Sequence, residues 1–596
     1  MMDLITEHID VWTSAQVQKK KGGRGRGKST NGQAIYGMKK LRELILDLAV
    51  RGKLIPQDPA DEPATLVLEN LTSQKLHLIK EKKIRKAKVA PGNEMPEVNF
   101  DKPIGWELPL LSDLLLNSSD DIVDGPFGSK LKASEYTESG VPIIRIQNID
   151  RGAFKSHGLQ FLPDSKAEEL QRHAFVAGDI VLNKLGEPAG KTCLVPHDLP
   201  YGIIVADIIR IRLDETLHDK QYVVNCINSP IVAFQFAQLA KGVTRQRVNL
   251  SQVRSLKIPL PPLAEQHRIV AKVDELMALC DRLEQQQTDS NITHQALVEN
   301  LLTSLTNAAD QAAFADTWQR IADHFDTLFT TEQSIDHLKQ TILQLAVLGK
   351  LVPQDPDDEN KKFRSLVRDE RKVEGLSVTI KAGKSDYCEE VARSFQLPSQ
   401  WHIAPLSEVV LAAVDCPHST PKWTSKGKIC VRTSQFRPGF LDLSEPRYVD
   451  EETFVKRTER LKPREDDILY SREGGILGIA CKVPHKVELC LGQRMMLLRP
   501  ARVLNPIFFE YVLNSPLITG IAKQLTTGGA APRVNVSIVK AYPIPIPPLN
   551  EQHRIVAKVD ELTALCDTLN SHVSEVQTTQ VELADAIVQQ ATAAFN

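Results

Sequence analysis

An internal repeat constrains the fold of this chain more than any other feature of its sequence. Residues 242–281 and 528–567 align without gaps at an offset of 286, and 27 of the 40 aligned positions are identical. A second pair of segments, 38–62 and 335–359, matches at an offset of 297 around GKLIPQD and GKLVPQD. Because chance does not produce matches of this length, the two halves of the chain must share one architecture.

The repeated segments follow a circular order. We call the GKLxPQD element B, the PPLxEQHRIV element A and the region between them T, so that the chain reads B–T1–A–B–T2–A. Element A runs into element B in the middle of the chain, whereas the two chain ends carry a single B and a single A. If the ends meet in space, they rebuild the central A–B unit. The sequence therefore predicts two globular domains joined by two equivalent helical connectors, with pseudo-two-fold symmetry.

Composition is typical of a globular protein and excludes several other classes. Hydrophobic residues make up 42% and charged residues 25% of the 596 residues, as expected for several packed domains. No uncharged apolar run reaches the length of a membrane helix, and the N-terminus lacks the apolar core of a secretory signal. Nine cysteines without a CxxC pair predict neither zinc ribbons nor disulfides, so we expect a cytoplasmic protein. With a net charge of −2, any nucleic-acid-binding surface must be local.

Each A element predicts a long helix with a coiled-coil seam. A continuous helix over residues 550–595 would extend ~69 Å at 1.5 Å per residue. In the B elements, Gly52 and Gly349 stand where glycine commonly ends a helix. Cys280 and Cys566 occupy matching seam positions, so we expect them to pack rather than to act as nucleophiles. The apolar seam positions alternate in spacing between four and three residues: Ile269, Val273, Leu276, Cys280 and Leu283 in the first copy, and Ile555, Val559, Leu562, Cys566, Leu569, Val573 and Val576 in the second.

The two T regions predict mixed α/β domains in which strands dominate. Short β-branched runs such as VPIIRI, GDIVLN, KICVRT and DDILYS are separated by Gly, Pro, Asn and Asp, and FQFAQLA predicts a helix. The two copies share this frame but diverge between frame positions, which indicates two ligand specificities. We expect charged linkers at 75–88 and 361–384 and a basic mobile tail at 17–28. The predicted regions are 1–104 (N-terminal helical region), 105–262 (first T domain), 263–400 (central coiled-coil region), 401–548 (second T domain) and 549–596 (C-terminal helix).

The circular order, the paired PPLxEQHRIV and GKLxPQD motifs and LITEHIDVWTSA at the start resemble the specificity subunits of type I restriction-modification systems. The resemblance runs from about residue 3 to the end and is closest to the branch with an N-terminal LRELIL–LAVRGKL segment. It implies a non-catalytic subunit with an α/β (mixed α+β) fold. Two pseudo-two-fold-related target recognition domains would be separated by long antiparallel, coiled-coil helical regions in a circular organisation. Each domain would read one half of a bipartite, asymmetric DNA site.

The resemblance also implies partner subunits. The connectors would bind two modification subunits, which supply S-adenosylmethionine-dependent N6-adenine methylation, and two restriction (motor-nuclease) subunits would then join. S-adenosylmethionine, ATP and Mg would bind those partner subunits, so no cofactor and no metal is expected on this chain. The predicted contacts with the modification subunits lie in the EQHR turns: Glu265, His267, Arg268, Glu551, His553 and Arg554.

Reading DNA in a groove requires Arg, Lys, Asn and Gln on loops next to backbone contacts. The candidate loops are DGPFGSKLK, RIQNID, NKLGEPAGK and TRQR in the first T domain, and PHSTPKWTSK, RTSQFRPG, SREGG and TTGGAAPR in the second. Residues 401–548 carry 20 Lys and Arg against 14 Asp and Glu, which favours DNA binding, whereas residues 105–262 are nearly neutral at 17 against 18. The predicted DNA contacts are Ser129, Lys130, Arg145, Gln147, Asn148, Lys184, Arg245, Arg247, Lys422, Arg432, Ser434, Gln435, Arg472 and Arg533.

The motifs that would indicate catalysis are incomplete. Residues 22–29 satisfy the P-loop pattern GxxxxGK[ST] but lack the preceding strand and the following helix that a P-loop needs. Asp357, Glu359 and Lys361 resemble a nuclease core only faintly, and we interpret them as a solvated charge run. No catalytic centre is predicted. Three alternatives remain open: an orphan sequence-specific DNA-binding protein without modification subunits, an enzyme that uses the 22–29 loop, and a coiled-coil scaffold.

Overall fold

The two ends of the chain belong to the same compact unit. The computed structural model describes residues 1–16, 35–84, 97–98, 100–126, 130–186, 189–240, 246–358, 363–376, 386–395, 397–526 and 532–594. Unit 1 consists of residues 1–290 and 576–596, and unit 2 consists of residues 291–575. The end of the helix that starts at the last A element therefore packs with the first B element, which confirms the predicted circular order.

Unit 1 contains the first B element and the first T domain. Helices α1 (Met2–Glu7), α2 (Ile9–Ser14), α3 (Tyr36–Val50) and α4 (Ala64–Lys80) come first, and α3 is the B helix. The T domain comprises β1 (Ile122–Asp124), β2 (Val141–Ile144), β3 (Gln160–Leu162), α5 (Asp164–Glu169), β4 (Ala174–Val176), β5 (Ile180–Asn183), β6 (Thr192–Leu194), β7 (Tyr201–Ile204), β8 (Ile208–Ile211), α6 (Lys220–Asn228), α7 (Pro230–Leu239) and α8 (Leu250–Arg254). The long helix α9 (Leu263–Thr306) begins in this unit.

Unit 2 repeats this order. Helices α10 (Gln311–Asp323), α11 (Phe325–Leu328), α12 (Glu332–Val347), α13 (Phe363–Val373) and α14 (Asp386–Ser394) come first, and α12 is the B helix. The T domain comprises β9 (His402–Pro405), α15 (Leu406–Val409), β10 (Val410–Asp415), β11 (Trp423–Thr424), β12 (Lys428–Val431), β13 (Phe436–Arg437), β14 (Phe440–Leu441), β15 (Tyr448–Val449), α16 (Glu451–Thr458), β16 (Ile468–Ser471), β17 (Ala480–Lys482), β18 (Leu489–Leu491), β19 (Met495–Pro500), α17 (Pro506–Asn514), α18 (Pro516–Gln524), α19 (Val536–Lys540) and β20 (Pro543–Ile546). The long helix α20 (Leu549–Ala594) follows.

The two T domains share an antiparallel sheet and the three-strand core of a mixed sheet. In the first domain an antiparallel sheet has the order β1-β8-β5-β6, and the order β10-β19-β16-β17 repeats it in the second. The other sheet is mixed, with β2 parallel to β7 in the order β3-β2-β7-β4 and β12 parallel to β18 in the order β11-β15-β12-β18. The strands predicted from the sequence are present, and the prediction of a mixed α/β domain is confirmed.

Each antiparallel sheet is buried on both faces. Along β5, Ile180 and Leu182 pack in one core with α3, α6 and α7, whereas Val181 packs in a second core between the two sheets. This alternation follows from the two-residue period of a strand. In the second domain β16 alternates in the same way between two cores. A T domain is therefore layered as helices, antiparallel sheet and mixed sheet.

The long helices are continuous, as predicted. They contain 44 and 46 residues, so α20 extends ~69 Å. Their seam residues pack against the B helices, and Cys280 shares a core with Leu41 and Ile45 of α3. Cys280 and Cys566 are 0% and 4% exposed, and burial raises the pKa of the Cys280 thiol to about 11. The prediction that these cysteines pack is therefore confirmed.

Ion pairs tie each B helix to the long helices. In unit 1, Lys40 pairs with Asp585 of α20 at 2.9 Å and Arg42 pairs with Asp281 of α9 at 2.7 Å. In unit 2, Lys339 and Asp567 stand at the positions of Arg42 and Asp281 and pair at 2.5 Å. None of the described helices has the length and apolar character that crossing a membrane requires.

The structure extends the B repeat beyond the sequence match. Helices α10 and α11 precede α12 as α1 and α2 precede α3, and Ile5 and Ile321 are both buried. The junctions have the same backbone, with His8 at φ −120° and ψ 24° and His324 at φ −119° and ψ 19°. The first copy carries additional residues before α3. Residues 17–34, which contain the P-loop-like motif and the predicted basic tail, lie outside the described residues.

The helix ends follow the sequence prediction, but the linkers do not. Gly52 and Gly349 have φ of +69° and +70°, and the next N–H of each donates to the carbonyl five residues back, at 2.9 and 3.0 Å, which closes a Schellman motif. The segments predicted as charged linkers instead include the end of α4 and the whole of α13. In α13 only Phe363 and Val367 are buried, one turn apart. A narrow apolar stripe therefore suffices to pack a highly charged helix.

Glu510 on α17 is a buried carboxyl that should make unit 2 sensitive to pH. It is 3% exposed, accepts a hydrogen bond from the Lys482 N–H at 2.8 Å, and burial raises its pKa to about 7. Because this folded-state pKa lies above the unfolded value of ~4.3, the folded state binds more protons between the two values. Stability should therefore fall as the pH rises from about 4.5 to about 7.

Replacement of Glu510 tests this pH dependence. Glu510→Gln keeps an acceptor for the N–H and should flatten the fall in Tm measured between pH 5 and 8. Glu451→Gln, on the exposed first turn of α16, is the matched control and should keep the wild-type slope. A slope that is equally steep in the Glu510 variant and the wild type would contradict the assignment.

Candidate nucleic-acid interface

In the first T domain the predicted loops converge on residues 205–207, the turn between β7 and β8. After β1, the backbone of Gly125 lies directly against the carbonyl of residue 205. A Cβ added to this glycine would be only 1.9 Å from that carbonyl oxygen. After β5, the Lys184 N–H donates to the carbonyl of residue 207 at 2.9 Å, and Arg247 pairs with the carboxylate of that residue at 3.1 Å. The parallel strands β2 and β7 end side by side, which brings the RIQNID turn to the same edge. Loops far apart in the sequence therefore form one surface.

The second T domain gathers its loops in the same way, around residues 492–494. The Gly492 N–H donates to the carbonyl of Val431 at the end of β12, at 2.9 Å, and the Arg472 N–H donates to the carbonyl of residue 494 at 3.1 Å. The Gln493 Nε2 donates to the His418 carbonyl at 2.5 Å. The Gly474 N–H of the SREGG loop also donates to the carbonyl of Pro532, near the end of the fourth loop, at 2.9 Å. The described parts of the candidate loops thus meet at the position equivalent to that in the first domain.

The RIQNID and RTSQFR segments begin with the same tight turn. Residues 146–148 and 433–435 form single 3₁₀ turns directly after β2 and β12. The Arg145 N–H donates to Asn148 Oδ1 at 3.0 Å, and the Arg432 N–H donates to Gln435 Oε1 at 2.9 Å. Both arginine side chains are half-buried, and the Nε of each is buried without a hydrogen-bond partner among the described residues.

Four predicted DNA contacts are buried and paired inside the domains. Asn148 (0% exposed) and Gln435 (6% exposed) bond backbone groups and so shape the two turns. Lys184 (1% exposed) pairs at 2.6 Å with the aspartate that ends β1, and Arg472 (6% exposed) forms two 2.9 Å hydrogen bonds with the aspartate that ends β10. These side chains are not available to DNA in this structure. We therefore correct their role from direct contact to positioning of the loops.

The other predicted DNA contacts reach the surface. Gln147 donates from Nε2 to the Gly158 carbonyl at 3.1 Å, and Arg145 donates from Nη2 to the same oxygen at 2.9 Å. Ser129 and Arg245 lie outside the described residues. Contact of the surface residues with DNA stays a prediction. The exposed residues are Lys130, Gln147, Arg247, Lys422, Ser434 and Arg533, and the half-buried ones are Arg145 and Arg432.

The shared surface carries different charges in the two domains. Asp150, which is ion-paired with two lysines, is replaced at the equivalent hairpin position by Arg437, which is paired with an aspartate at 3.1 Å. Asp207, next to β8, is replaced by Arg494 next to β19. One backbone frame therefore presents different polar groups, as expected if the domains bind different ligands.

The EQHR turns anchor the long helices to the T domains. Glu265 is 1% exposed and accepts a hydrogen bond from Trp106 Nε1 at 3.0 Å, and Glu551 is 0% exposed and accepts one from Trp401 Nε1 at 3.0 Å. Burial raises the pKa of both carboxyls against the opposing effect of the indole hydrogen bonds. The predicted contact of these two glutamates with partner subunits is wrong, because both side chains are buried and hydrogen-bonded to tryptophans of the same chain.

The arginines of the same turns join the two repeated motifs. Arg268 forms two hydrogen bonds with Asp61, at 3.1 and 2.5 Å, and Arg554 pairs with Asp358 at 2.8 Å. Both aspartates follow GKLxPQD and have side chains only 8% and 5% exposed. Asp357 of the predicted charge run is exposed, as expected, whereas its neighbour Asp358 is buried in this ion pair. Glu359 and Lys361 lie outside the described residues.

The buried glutamines of these turns were not among the predicted functional residues. Gln266 accepts a hydrogen bond from the backbone N–H of Asp219 at 2.9 Å, and Gln552 accepts one from that of Asn505 at 2.7 Å. Asp219 and Asn505 cap α6 and α17, so the glutamines attach the long helices to the helical layer of each T domain. The presence of the same glutamine in both EQHR motifs could have indicated this role.

The histidines of the EQHR turns remain at the surface. The His267 side chain is 59% exposed, with its Nε2 3.7 Å from an Asp219 carboxylate oxygen. His553 is exposed, with its Nδ1 3.1 Å from the Asn505 amide nitrogen. Across the described ranges, no group of three His, Cys, Asp or Glu residues is placed to hold a metal ion.

Comparison with known families agrees with this architecture. The model of the type I restriction modification DNA specificity domain matches residues 120–294 and 398–577, which together exceed half of the chain. The chain belongs to this family. The two matches contain most of the T domains and the first halves of α9 and α20, and we now call the T domains target recognition domains 1 and 2 (TRD1 and TRD2).

Full-length relatives carry the same description. The chain is 32% identical over 608 residues to the type I restriction enzyme EcoAI specificity subunit of Escherichia coli, and 32% identical over 619 residues to the EcoEI specificity subunit of the same species. Each alignment covers 99% of both chains. The chain is therefore a DNA specificity subunit of a type I restriction-modification system, which confirms the resemblance stated from the sequence.

Solved structures with detectable similarity are more distant. The HsdS subunit of Thermoanaerobacter tengcongensis is 18% identical, with coverage of 83% of this chain and 97% of that chain and a TM-score of 0.35. A chain from a structure on complex assembly and conformational transition of the type I R-M system is 18% identical, with coverage of 83% and 99% and a TM-score of 0.46.

Proposed function

We propose that this specificity subunit reads a bipartite, asymmetric DNA site, with TRD1 on one half and TRD2 on the other. The observation that carries the proposal is the shared loop surface of the two TRDs. Both domains gather the same loops around the same turn, while the polar side chains on that surface differ in charge. Two similar readers with different side chains suit a site whose halves differ in sequence.

Within each TRD, the half-buried residues would contact bases and the exposed residues would contact phosphates. Arg145 in TRD1 and Arg432 in TRD2 are the strongest candidates for base contact, because each offers guanidinium donors next to a buried, unpartnered Nε. Lys130, Lys422 and Arg533 are exposed at the same surfaces and suit phosphate contacts. The buried pairs of Lys184 and Arg472 with their aspartates would hold the reading loops in place.

The chemistry would come from the partner subunits. Type I specificity subunits work with modification and restriction subunits, and we propose two of each on this chain. The modification subunits would transfer a methyl group from S-adenosylmethionine to adenine N6, and the restriction subunits would use ATP and Mg to cut DNA. The duplicated A elements support a pair of equivalent docking positions, because both long helices begin with the same residues.

Methylome mapping tests the proposal. The chain is expressed with its modification subunit in a methylation-free host, and N6-methyladenine is mapped across the genome. We expect one split, asymmetric motif with a methylated adenine in each half. Exchange of TRD1 alone for the TRD1 of a relative should change one half of the motif and preserve the other. A contiguous motif, or no motif from a co-purifying complex, would contradict the proposal, and the latter would favour an orphan DNA-binding protein.

A further inference from the structure

The turn at the centre of the candidate interface carries opposite charges in the two TRDs. In TRD1 it contains Asp207, whose carboxylate pairs with Arg247 at 3.1 Å. In TRD2 the equivalent positions hold Arg494 and Arg533, so that two arginines replace an ion pair. Like charges in this arrangement repel each other, and an anion between them removes the repulsion.

The same backbone frame holds these positions in both TRDs. The N–H of the residue after β5 donates to the Asp207 carbonyl at 2.9 Å, and that of the residue after β16 donates to the Arg494 carbonyl at 3.1 Å. One residue further on, each of these loops forms a β-bridge to the arginine of the last candidate loop, Arg247 in TRD1 and Arg533 in TRD2. Arg494 and Arg533 therefore have the same backbone placement as the two ion-paired residues of TRD1.

Arg494 has no counter-ion within the part of the chain that the structure describes, and it is exposed. Its Nη1 would lie 3.6 Å from a Cβ added to Gly474, so the guanidinium extends over the SREGG loop. Glu473 of this loop pairs with the preceding Arg472 at 2.7 Å. The exposed backbone N–H of Gly475 has no acceptor among the described residues. Arginine and backbone N–H donors side by side suit the oxygens of a phosphate.

The backbone of Arg494 is strained. Its φ is +68°, in the left-handed region that glycine adopts at low cost and arginine does not. The φ of Asp207, its counterpart in TRD1, is not positive. Strain of this kind persists where the surrounding structure enforces it, and it is concentrated at functional sites. The conformation therefore indicates that the position of the Arg494 side chain matters more than its cost in stability.

We infer that Arg494 and Arg533 together bind one backbone phosphate of the half-site held by TRD2. TRD1 lacks such a phosphate site, because Asp207 neutralises Arg247 within the chain. The inference rests on the proposed function, in which each TRD binds one half-site. It assigns unequal electrostatic contributions to the two half-sites, with TRD2 supplying more of the salt-dependent affinity. The excess of basic residues in TRD2 and the near neutrality of TRD1 agree with this difference.

Glycine substitution separates the phosphate contact from a structural role. Arg494→Gly relieves the positive φ, so the Tm of the chain should not fall. The complex of this variant with modification subunits should bind DNA about tenfold more weakly, because a charged hydrogen bond is lost. The loss should be equal on an oligonucleotide with the mapped site and on an unrelated one, and the slope of log affinity against log salt should fall by about 1. Arg494→Gln, which removes the charge and retains the Cβ, should give the same loss.

Lys486→Gly is the matched control. Lys486 is an exposed basic residue of the same domain with φ of +57°, and it precedes β18 whereas Arg494 follows that strand. This variant relieves the same kind of strain and removes the same charge at the opposite end of the strand. Its affinity and salt slope should equal those of the wild type.

The reciprocal change in TRD1 should have the opposite effect. Asp207→Asn keeps the shape of the side chain but frees the Arg247 guanidinium, so binding to unrelated DNA should strengthen and the salt slope should rise by up to about 1. Arg494→Asp should rebuild the ion pair of TRD1 in TRD2 and lower the slope by about 2, because both arginines are then lost to DNA. An unchanged slope in Asp207→Asn would contradict the neutralisation of Arg247.

The remaining outcomes distinguish the inference from the proposed function. Wild-type affinity and salt slope in both Arg494→Gly and Arg494→Gln would overturn the inference and leave the proposed function intact. A loss confined to the mapped site, with an unchanged slope, would show that Arg494 contacts a base and would refute the phosphate site. A wild-type complex that binds the mapped site no better than unrelated DNA would contradict the proposed function itself.

Discussion

Replacement of both Arg145 and Arg432 by alanine is expected to weaken binding to the cognate DNA about 30-fold or more. Each residue follows a central strand of its TRD, is half-buried, and has a buried Nε without a partner among the described residues. A bidentate arginine–base contact contributes roughly 1–3 kcal/mol of discrimination, so the loss of two corresponds to about 2–6 kcal/mol. The dissociation constant of the complex with modification subunits, measured on an oligonucleotide with the mapped site, checks this.

The single variants and the salt dependence identify the kind of contact. Arg145→Ala should relax recognition of one half-site and Arg432→Ala that of the other, with the slope of affinity against salt unchanged. If these residues bind phosphate instead, the slope should fall by about 1 for each one removed. Arg437→Ala is the control, because this half-exposed arginine of TRD2 already pairs with Asp442. Equal affinity of the double variant and the wild type would refute their role.

Asp467→Ala is expected to destabilise unit 2 by about 3–5 kcal/mol. Asp467 forms two 2.8 Å hydrogen bonds with Arg499, and the two side chains are only 1% and 7% exposed. Removal of the carboxylate leaves a buried guanidinium without its counter-ion. The unfolding free energy of the full chain, followed in urea at neutral pH, measures the loss.

TRD1 offers a matched control for this buried pair. Asp179 pairs with Arg212 in the same geometry, at 2.9 and 2.7 Å, but the Arg212 side chain is 42% exposed. Both aspartates also accept a hydrogen bond from the backbone N–H three residues earlier, at 2.9 and 3.0 Å. The two variants therefore differ mainly in the burial of the arginine. Asp179→Ala should lower the unfolding free energy by less than half as much as Asp467→Ala, because water can solvate the Arg212 guanidinium. Equal losses would show that burial of the guanidinium is not the cause.

Features set by local sequence were predicted well. The strands GDIVLN and DDILYS follow from β-branched runs between turn residues, and both form strands at the centre of their sheets. Gly52 and Gly349 end their helices because only a residue without a Cβ adopts their positive φ at low cost. The circular order followed from the repeat alone. Helices α4 and α13 escaped prediction because a short buried stripe on a charged helix resembles a linker.

The sequence did not allow us to predict which side chains of the candidate loops are exposed. Lys184 and Gln147 both lie on loops with polar neighbours, yet one is buried beside an aspartate and the other is exposed. Glu265 is charged and close to the start of a helix, but its indole partner is 159 residues away. The Arg268–Asp61 pair spans 207 residues.

The sequence by itself determined the duplicated architecture, the circular order, the helix ends and the central strands, because each depends on residues near one another in the chain. Only the tertiary structure decided which polar residues reach solvent. Burial of a charge is tolerated where a distant partner compensates its desolvation, and that partner is supplied by the fold. The EQHR turns show both effects, since their identity in the two copies was visible in the sequence, while their division into buried anchors and an exposed histidine depended on Trp106, Trp401 and Asp61.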